Sequence, residues 1–70
     1  MSTVLVFGKD GCPYTEAAME DYARRGMPAQ YINVKASPAD LERMLVHSRG
    51  KRRVPVIVDG DRVTIGFGGT

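Results

Sequence analysis

The stretch TVLVFGKDGCPYT, residues 3–15, contains the pattern that decides the fold. Its first five residues form a nearly unbroken apolar run that ends at Gly8, which is typical of a buried strand. Pro13 stands where a helix tolerates proline, at the first helical position, because the N–H of that position has no partner within the helix. The stretch therefore predicts a buried strand, a short loop that holds Cys12, and a helix.

Local signals along the rest of the chain predict three more strands and a second helix. Gly26 ends the first helix, and Ser37-Pro38 begins the second as cap and first helical residue, with Asp40 as a weak capping box. Asp59-Gly60 is typical of a tight hairpin, which makes the last two strands antiparallel. The predicted elements are a helix over 14–25, a strand over 30–34, a helix from 38 to near residue 50, and strands over 54–58 and 62–65.

This order of elements predicts an α/β fold, β-α-β-α-β-β, in a single domain over residues 1–70. A β-α-β step over a short helix favours a crossover between parallel strands, so both such steps are expected to join parallel strands. Together with the antiparallel hairpin, they give a four-stranded mixed sheet with helices on its faces.

The composition excludes several classes of protein. One cysteine and one histidine cannot form an internal disulfide or a four-ligand zinc site. No apolar run reaches the roughly 18 residues of a membrane span, and the first residues lack the basic flank and long apolar run of a signal peptide. We therefore expect no metal site, no membrane partner and a cytoplasmic location.

The net charge of +2 includes a cluster of four bases in the segment Arg49-Gly50-Lys51-Arg52-Arg53. Such a cluster is typical of a solvated loop, and the alternative is a surface that binds an anion. No aromatic side chain is interleaved with these bases, which argues against nucleic acid as a partner.

Cys12 is the candidate nucleophile. At the start of a helix, unpaired backbone N–H groups and the helix dipole stabilise negative charge, so the pKa of the Cys12 thiol should be lowered. Lys9, three residues earlier, adds a positive charge. The thiolate is the reactive form in disulfide exchange, whereas the alternative is an inert, buried cysteine.

Three segments in chain order carry a resemblance: Lys9–Thr15, Arg53–Pro55 and Ile65–Gly69. The first resembles the glutaredoxin active-site segment K-x-x-C-P-Y-C, the second the family's T-V-P segment, and the third its glycine pair after the last strand. The Cys-Pro-Tyr-Thr site and the ending Ile-Gly-Phe-Gly-Gly-Thr are similar to those of the UXX-star selenoproteins. In many members of that group, selenocysteine stands in the place of Cys12.

The resemblance implies the thioredoxin-like fold and a role for each matching residue. Cys12 matches the nucleophile, Lys9 the lysine that meets a glutathione carboxylate, and Tyr14 the tyrosine that flanks the glutathione groove. Val54 matches the residue whose backbone pairs with the cysteinyl unit of glutathione, and Pro55 the cis-proline beside the nucleophile. A cis-proline at a strand start leaves the preceding backbone free to pair with a peptide-like substrate. The alternative is an ordinary trans proline at the start of a strand, which has the same spacing.

The chain departs from the family pattern in three places. Thr15 replaces the second cysteine, so no intramolecular disulfide can resolve a mixed disulfide on Cys12. Arg53 replaces the usual threonine. The sequence ends at Thr70, before the acidic residue that contacts the γ-glutamyl end of glutathione and before the family's last helix.

That last helix would share one face of the sheet with the first helix. We therefore expect the first helix to cover the face alone and to leave apolar side chains partly in water, drawn from residues 4–7, 54–58 and 63–65. A homodimer that buries this patch is predicted.

Three functional hypotheses follow. The leading one is a monothiol, glutaredoxin-like oxidoreductase without a tightly bound cofactor, which uses glutathione or another low-molecular-weight thiol and acts on disulfide-bearing proteins. The alternative is a [2Fe–2S] module in which two chains each supply Cys12 and two glutathione thiolates complete the ligands, although Pro13-Tyr14 stands where most cluster-carrying relatives have Gly-Phe-Ser. The third is anionic docking on residues 49–53 with an idle thiol.

Overall fold

The computed structural model describes residues 3–68 and has the element order that the sequence predicts. The elements are β1 (Val4–Gly8), α1 (Pro13–Arg24), β2 (Ala29–Asn33), α2 (Pro38–Ser48), β3 (Val56–Asp59) and β4 (Arg62–Ile65). Gly69, the second glycine of the expected pair, and Thr70 lie outside the described residues.

The sheet has the strand order β2-β1-β3-β4 and is mixed, as predicted. Strand β1 pairs with β2 in parallel and with β3 in antiparallel register. The expectation that the second β-α-β step also joins parallel strands is therefore wrong. Seven residues, 49–55, separate α2 from β3. An extended chain of that length spans about 23 Å, enough to carry it back along a five-residue strand of about 17 Å and reverse the direction of β3.

The hairpin between β3 and β4 forms where the sequence predicts it. Asp59 pairs with Arg62, so Gly60 and Asp61 are the two loop residues. Gly60 has a φ of +60°, the left-handed conformation that a tight hairpin needs at its first loop position and that glycine adopts without a steric cost.

The helices lie on opposite faces of the sheet. The α2 face holds one cluster of buried side chains: Phe7, Ile32, Val34, Met44, Val56 and Val58. The α1 face holds a second: Val4, Val6, Ala18 and Ile57. The two inner strands, β1 and β3, contribute to both clusters, so the loop that follows β1 is anchored from both sides.

The expectation that the α1 face leaves its apolar strand residues in water is wrong for Val4, Val6 and Ile57. They are 2%, 0% and 3% exposed. Phe67, which follows β4, packs against this cluster, and Thr64 is the β4 partner of Ile57, so the outer strand presents a polar residue there. The homodimer stays a prediction, but the surface on which it was argued is covered.

Helix α2 begins with the predicted cap. The Ser37 hydroxyl oxygen accepts a hydrogen bond from the Asp40 N–H at 3.3 Å. The Asp40 carboxylate accepts a hydrogen bond from Arg43 at 3.0 Å instead of turning back to Ser37, so only half of the capping box forms. Within residues 3–68, no helix is long and apolar enough to cross a membrane.

Candidate functional site

The site begins after the carboxyl end of β1, where Cys12 occupies the N-cap position of α1. Cys12 has extended backbone angles, φ −87° and ψ 114°, and Pro13 occupies the first helical position. The Cys12 carbonyl already accepts the first helical hydrogen bond, from the Glu16 N–H at 3.0 Å. Cys12 is 7% exposed, so the residue is buried at the positive end of the helix.

The Thr15 hydroxyl is the second polar group of the site. Thr15 lies one turn into α1 and is 2% exposed, and its Oγ1 has no hydrogen-bond partner in the part of the chain that the structure describes. A buried hydroxyl without a partner is unfavourable, since it has lost its hydrogen bonds to water. A thiolate at Cys12 would accept that hydrogen bond, and this donation is the largest cause that lowers the pKa of Cys12.

Backbone groups add to this effect. The neutral sulfur makes no capping hydrogen bond, but the N–H of Thr15 and, more weakly, the N–H of Tyr14 lower the pKa of Cys12 by stabilising the thiolate. Burial acts in the opposite direction, and the charge of Lys9 makes the smallest contribution to lowering the pKa. The net shift is downward, as the sequence predicts. The helix N–H groups and Lys9 both contribute as expected, but the largest cause is the Thr15 hydroxyl, which the sequence analysis did not include.

Gly8 determines where the Thr15 side chain lies. A Cβ at Gly8 would overlap Thr15 Cγ2 and would lie 2.5 Å from Thr15 Oγ1, closer than such atoms approach one another. The bare backbone of Gly8 at the end of β1 thus makes room for the threonine side chain, which packs against the strand beside Cys12.

The Val54–Pro55 peptide bond is cis, as the sequence predicts. Pro55 is buried, and its carbonyl accepts a hydrogen bond from the Gly66 N–H at 2.7 Å, which ties the start of β3 to the end of β4. Val54 lies outside any strand, and its N–H and carbonyl have no hydrogen-bond partner within residues 3–68. This backbone is therefore available to an extended peptide.

Lys9 and Val54, both predicted from the sequence, line the same small pocket. It has a volume of about 210 Å³, and Lys35 and Arg52 also line it. Tyr14 lies on the first turn of α1, is 42% exposed, and lines neither this pocket nor the groove on the other side of the loop. The structure thus brings Lys9 and Val54 together, while Tyr14 projects into solvent.

Sequence reasoning missed the pair formed by Asp10 and Tyr31. The Tyr31 hydroxyl donates a hydrogen bond to Asp10 Oδ1 at 2.7 Å, which joins the β1–α1 loop to β2. Burial, the hydrogen bond and the negative charges of Asp10, Cys12 and Glu16 together raise the pKa of Tyr31 to about 12. The parallel pairing of β1 with β2 was the available signal, because the carboxyl ends of parallel strands meet at one edge of a sheet.

The same pair borders an open groove of about 610 Å³ along α1. Its lining includes the carboxylates of Asp10, Glu16 and Glu20 and the apolar side chains of Met19 and Ala23. In residues 3–68, no group of three or more His, Cys, Asp or Glu side chains is placed to hold a metal ion.

Comparison with known proteins agrees with this geometry. The sequence matches the glutaredoxin family over residues 4–63. The chain belongs to the glutaredoxin family. Thiol–disulfide exchange is the chemistry of that family. The structure has two of the features that the resemblance implies for it, a cysteine at the start of α1 and a cis peptide bond before Pro55.

Solved glutaredoxin structures share the fold over nearly the whole chain. Glutaredoxin from Archaeoglobus fulgidus is 27% identical with a TM-score of 0.84, over 97% of this chain and 78% of that one. NrdH-redoxin from Escherichia coli, a glutaredoxin-like protein with a thioredoxin-like activity profile, is 25% identical with a TM-score of 0.82, over 96% and 86%. Glutaredoxin from Brucella melitensis is 30% identical with a TM-score of 0.72, over 94% and 71%. No curated protein sequence matches the chain.

Proposed function

We propose that this glutaredoxin works with one thiol and reduces mixed disulfides of glutathione through Cys12. The observation that carries the proposal is the pairing of the chain's single cysteine with a buried threonine hydroxyl one turn along α1. A hydroxyl at that position stabilises a thiolate but cannot form a disulfide with it, so a second thiol has to come from outside the chain.

The reaction has two exchanges. The Cys12 thiolate attacks the glutathione sulfur of a mixed disulfide, forms a new disulfide with it and expels the partner as a thiolate, which takes up a proton. A second glutathione, as its thiolate, then attacks the glutathione sulfur on Cys12, which releases glutathione disulfide and restores the Cys12 thiolate. One free glutathione is thereby oxidised for each mixed disulfide reduced, because the other half of the glutathione disulfide was already at the disulfide oxidation level in the substrate.

Four other residues support binding in this proposal. Lys9 meets a carboxylate of glutathione, and the free backbone of Val54 pairs with its cysteinyl unit, with Pro55 fixing the turn of the chain there. Tyr14, exposed beside Cys12, flanks the sulfur of the bound thiol. A disulfide-bearing protein is the second substrate, and the reducing cytoplasm is the proposed location.

The test is reduction of a glutathionylated peptide, followed by release of the peptide thiol. Wild-type protein should turn over with glutathione as the reductant, and Cys12→Ser should abolish turnover because the chain has no other thiol. Lys9→Gln should raise KM for the glutathionylated peptide, whereas Lys51→Gln, an exposed lysine of the basic loop, should not. Full activity of Cys12→Ser, or no activity of the wild type with glutathione, would refute the proposal.

One further experiment distinguishes the [2Fe–2S] alternative from the proposed oxidoreductase function. A cluster needs four thiolate ligands, and this chain offers one, so two chains and two external thiols would have to assemble around it. Anaerobic reconstitution with iron, sulfide and glutathione should give no visible absorption if the protein is an oxidoreductase alone. A stable charge-transfer spectrum that is lost in Cys12→Ser would favour the cluster function.

The Cys-Pro-Tyr-Thr segment also supports placement of the chain among the UXX-star group. In that case, a Cys12→selenocysteine protein should keep the same fold and react faster at acidic pH, because a selenol ionises more readily than a thiol.

A further inference from the structure

Three cations surround the small pocket beside the cis-proline. Lys9, Lys35 and Arg52 line it, together with the apolar side chains of Val34, Leu41, Met44 and Val54. No acidic residue is among these lining residues. An apolar floor with a cationic rim is the arrangement expected of a site for a small organic anion.

These cations have no counter-charge of their own. Within residues 3–68, the ion pairs are those of Asp21 with Arg24 and Arg25 and of Asp40 with Arg43, and none involves Lys9, Lys35 or Arg52. Like charges gathered around one pocket repel each other, and a bound anion removes that repulsion. The pocket therefore favours an occupant with more than one negative charge.

The pocket is within reach of a ligand whose sulfur lies at Cys12. Lys9 is near enough to lower the pKa of the Cys12 thiol, and Val54, with its unpaired backbone groups, lines the pocket next to Lys9. A thiol whose cysteinyl unit pairs with the Val54 backbone would direct one of its arms between Lys9, Lys35 and Arg52.

We propose, as an extension of the function proposed above, that this pocket selects low-molecular-weight thiols whose arm beyond the cysteinyl unit carries two or more negative charges. The glycine arm of glutathione carries a single carboxylate, which leaves two of the three cations without a partner. A dicarboxylate or a phosphate on that arm would engage Lys35 and Arg52 as well as Lys9. The exchange itself is unchanged: Cys12 gains the small thiol as a disulfide and the partner thiolate leaves.

The test compares substrates that differ only in this arm. A reporter peptide is joined by a disulfide to glutathione, to γ-glutamylcysteinylaspartate, or to γ-glutamylcysteinylphosphoserine. The aspartate and phosphoserine tripeptides add a second carboxylate and a phosphate, respectively, at the position of the glycine arm. We expect kcat/KM to be roughly tenfold higher for at least one of these two more highly charged arms than for glutathione, and the better of the two identifies the class.

Charge-removing variants assign the preference to the pocket. Lys35→Gln and Arg52→Gln should each reduce the ratio of kcat/KM values toward one, because each lowers kcat/KM more for the more highly charged arms than for the glycine arm of glutathione. Lys51→Gln and Arg62→Gln are the matched controls, since both remove an exposed positive charge that does not line the pocket, and the ratio should stay unchanged.

A binding measurement keeps the inference independent of turnover. The S-methyl derivatives of the three tripeptides cannot react, so their affinity for Cys12→Ser protein reports on the pocket alone. Tighter binding of one of the two more highly charged derivatives, lost in Arg52→Gln, supports the proposal even if no disulfide is reduced. A lack of disulfide reduction would refute only the proposed oxidoreductase function. Equal affinity and equal kcat/KM for all three arms would overturn the inference while leaving the oxidoreductase function intact.

Discussion

At the scale of single residues, Thr15 makes stability and reactivity oppose each other. Its buried hydroxyl has no hydrogen-bond partner within residues 3–68 while the Cys12 thiol is neutral, and it becomes a donor when the thiol ionises. The unpartnered hydroxyl destabilises the folded state at low pH. The same group stabilises the thiolate and so lowers the pKa of Cys12.

Thr15→Val should therefore have opposite effects on the two properties. Valine has nearly the same shape, so the free energy of unfolding at pH 6 should rise by about 1 kcal/mol, because a buried group without a partner is removed. The pKa of Cys12 should rise toward the ordinary value of about 8.5, because the thiolate loses its principal hydrogen-bond donor. Chemical unfolding at pH 6 and the pH profile of Cys12 alkylation measure the two effects.

The pH dependence of stability gives a second readout on the same variant. Because folding lowers the pKa of Cys12, the thiolate's contribution to stability is full above the unfolded pKa of about 8.5 and is lost as the pH falls through the folded pKa. This dependence should be weaker in Thr15→Val and kept in Thr15→Ser, which retains the hydroxyl. An unchanged alkylation profile in Thr15→Val would contradict this account.

Gly8→Ala should act on Cys12 through Thr15, without touching the sulfur. The added Cβ would displace the Thr15 side chain, at a cost in stability of about 1–3 kcal/mol, and should raise the pKa of Cys12. In a Thr15→Ala background, the same substitution should cost much less, because the atoms it would overlap are absent. A double-mutant cycle with both unfolding and alkylation as readouts measures the coupling, and additive effects would show that the contact does not position the hydroxyl.

At the scale of elements, the Tyr31–Asp10 hydrogen bond holds the β1–α1 loop against β2. Since the pKa of Tyr31 is raised to about 12, folding favours the neutral phenol. The resulting stability is full below the ordinary tyrosine value of about 10 and is lost as the pH rises through about 12. The alkaline limit of the fold is thus connected to the loop that leads to Cys12.

Tyr31→Phe should remove this alkaline loss. At pH 8 the variant should be less stable by about 1 kcal/mol, because the hydrogen bond to Asp10 is gone. Between pH 10 and 12 its stability should decline less than that of the parent protein. The comparison is best made by denaturant unfolding in a Cys12→Ser background, so that thiol ionisation does not contribute; parallel decline of both proteins would contradict the assignment.

The order of the elements could be predicted from the sequence because each signal is local. The run before Gly8, the cap at Ser37 and the Asp59-Gly60 hairpin act within a few residues. The direction of β3 could not be predicted from such local signals. It depends on how far residues 49–55 carry the chain before β3 pairs with β1.

The same distinction applies to the site. Cys12 at the helix start follows from its place before Pro13, and the cis-proline is what the resemblance of Arg53–Pro55 to the family segment implies. The Thr15 hydroxyl without a partner, the space left by Gly8 and the Tyr31–Asp10 bond depend on side chains that meet only after folding, and the sequence carries no direct record of those contacts.

At the scale of the whole molecule, Phe67 completes the α1 face by packing beside Val4, Val6 and Ile57. Phe67→Ala should lower the free energy of unfolding by about 2 kcal/mol, less than for a fully buried phenylalanine because the side chain is half-buried. Val63→Ala is the control, since Val63 is 38% exposed and its loss should cost far less.

Light scattering on the same proteins addresses the predicted homodimer. If the Phe67 side chain shields the apolar residues of the α1 face from water, Phe67→Ala should expose them. The molar mass of this variant should then rise more steeply with protein concentration than that of the parent protein. Equal masses for both at every concentration, together with an unchanged unfolding free energy, would show that Phe67 does not cover the face.

The opposed linings on the two sides of the Lys9–Gly11 loop have a consequence for how substrates arrive. Lys35 and Arg52 lie on one side and Glu16 and Glu20 on the other, so a lateral dipole crosses the edge of the molecule that carries the thiol. Such a field rotates an approaching disulfide before contact, with its acidic portion over the cations and its basic portion over the carboxylates. Cys12 then attacks one of the two sulfurs of an asymmetric disulfide in preference to the other. This preference should weaken as added salt shortens the Debye length.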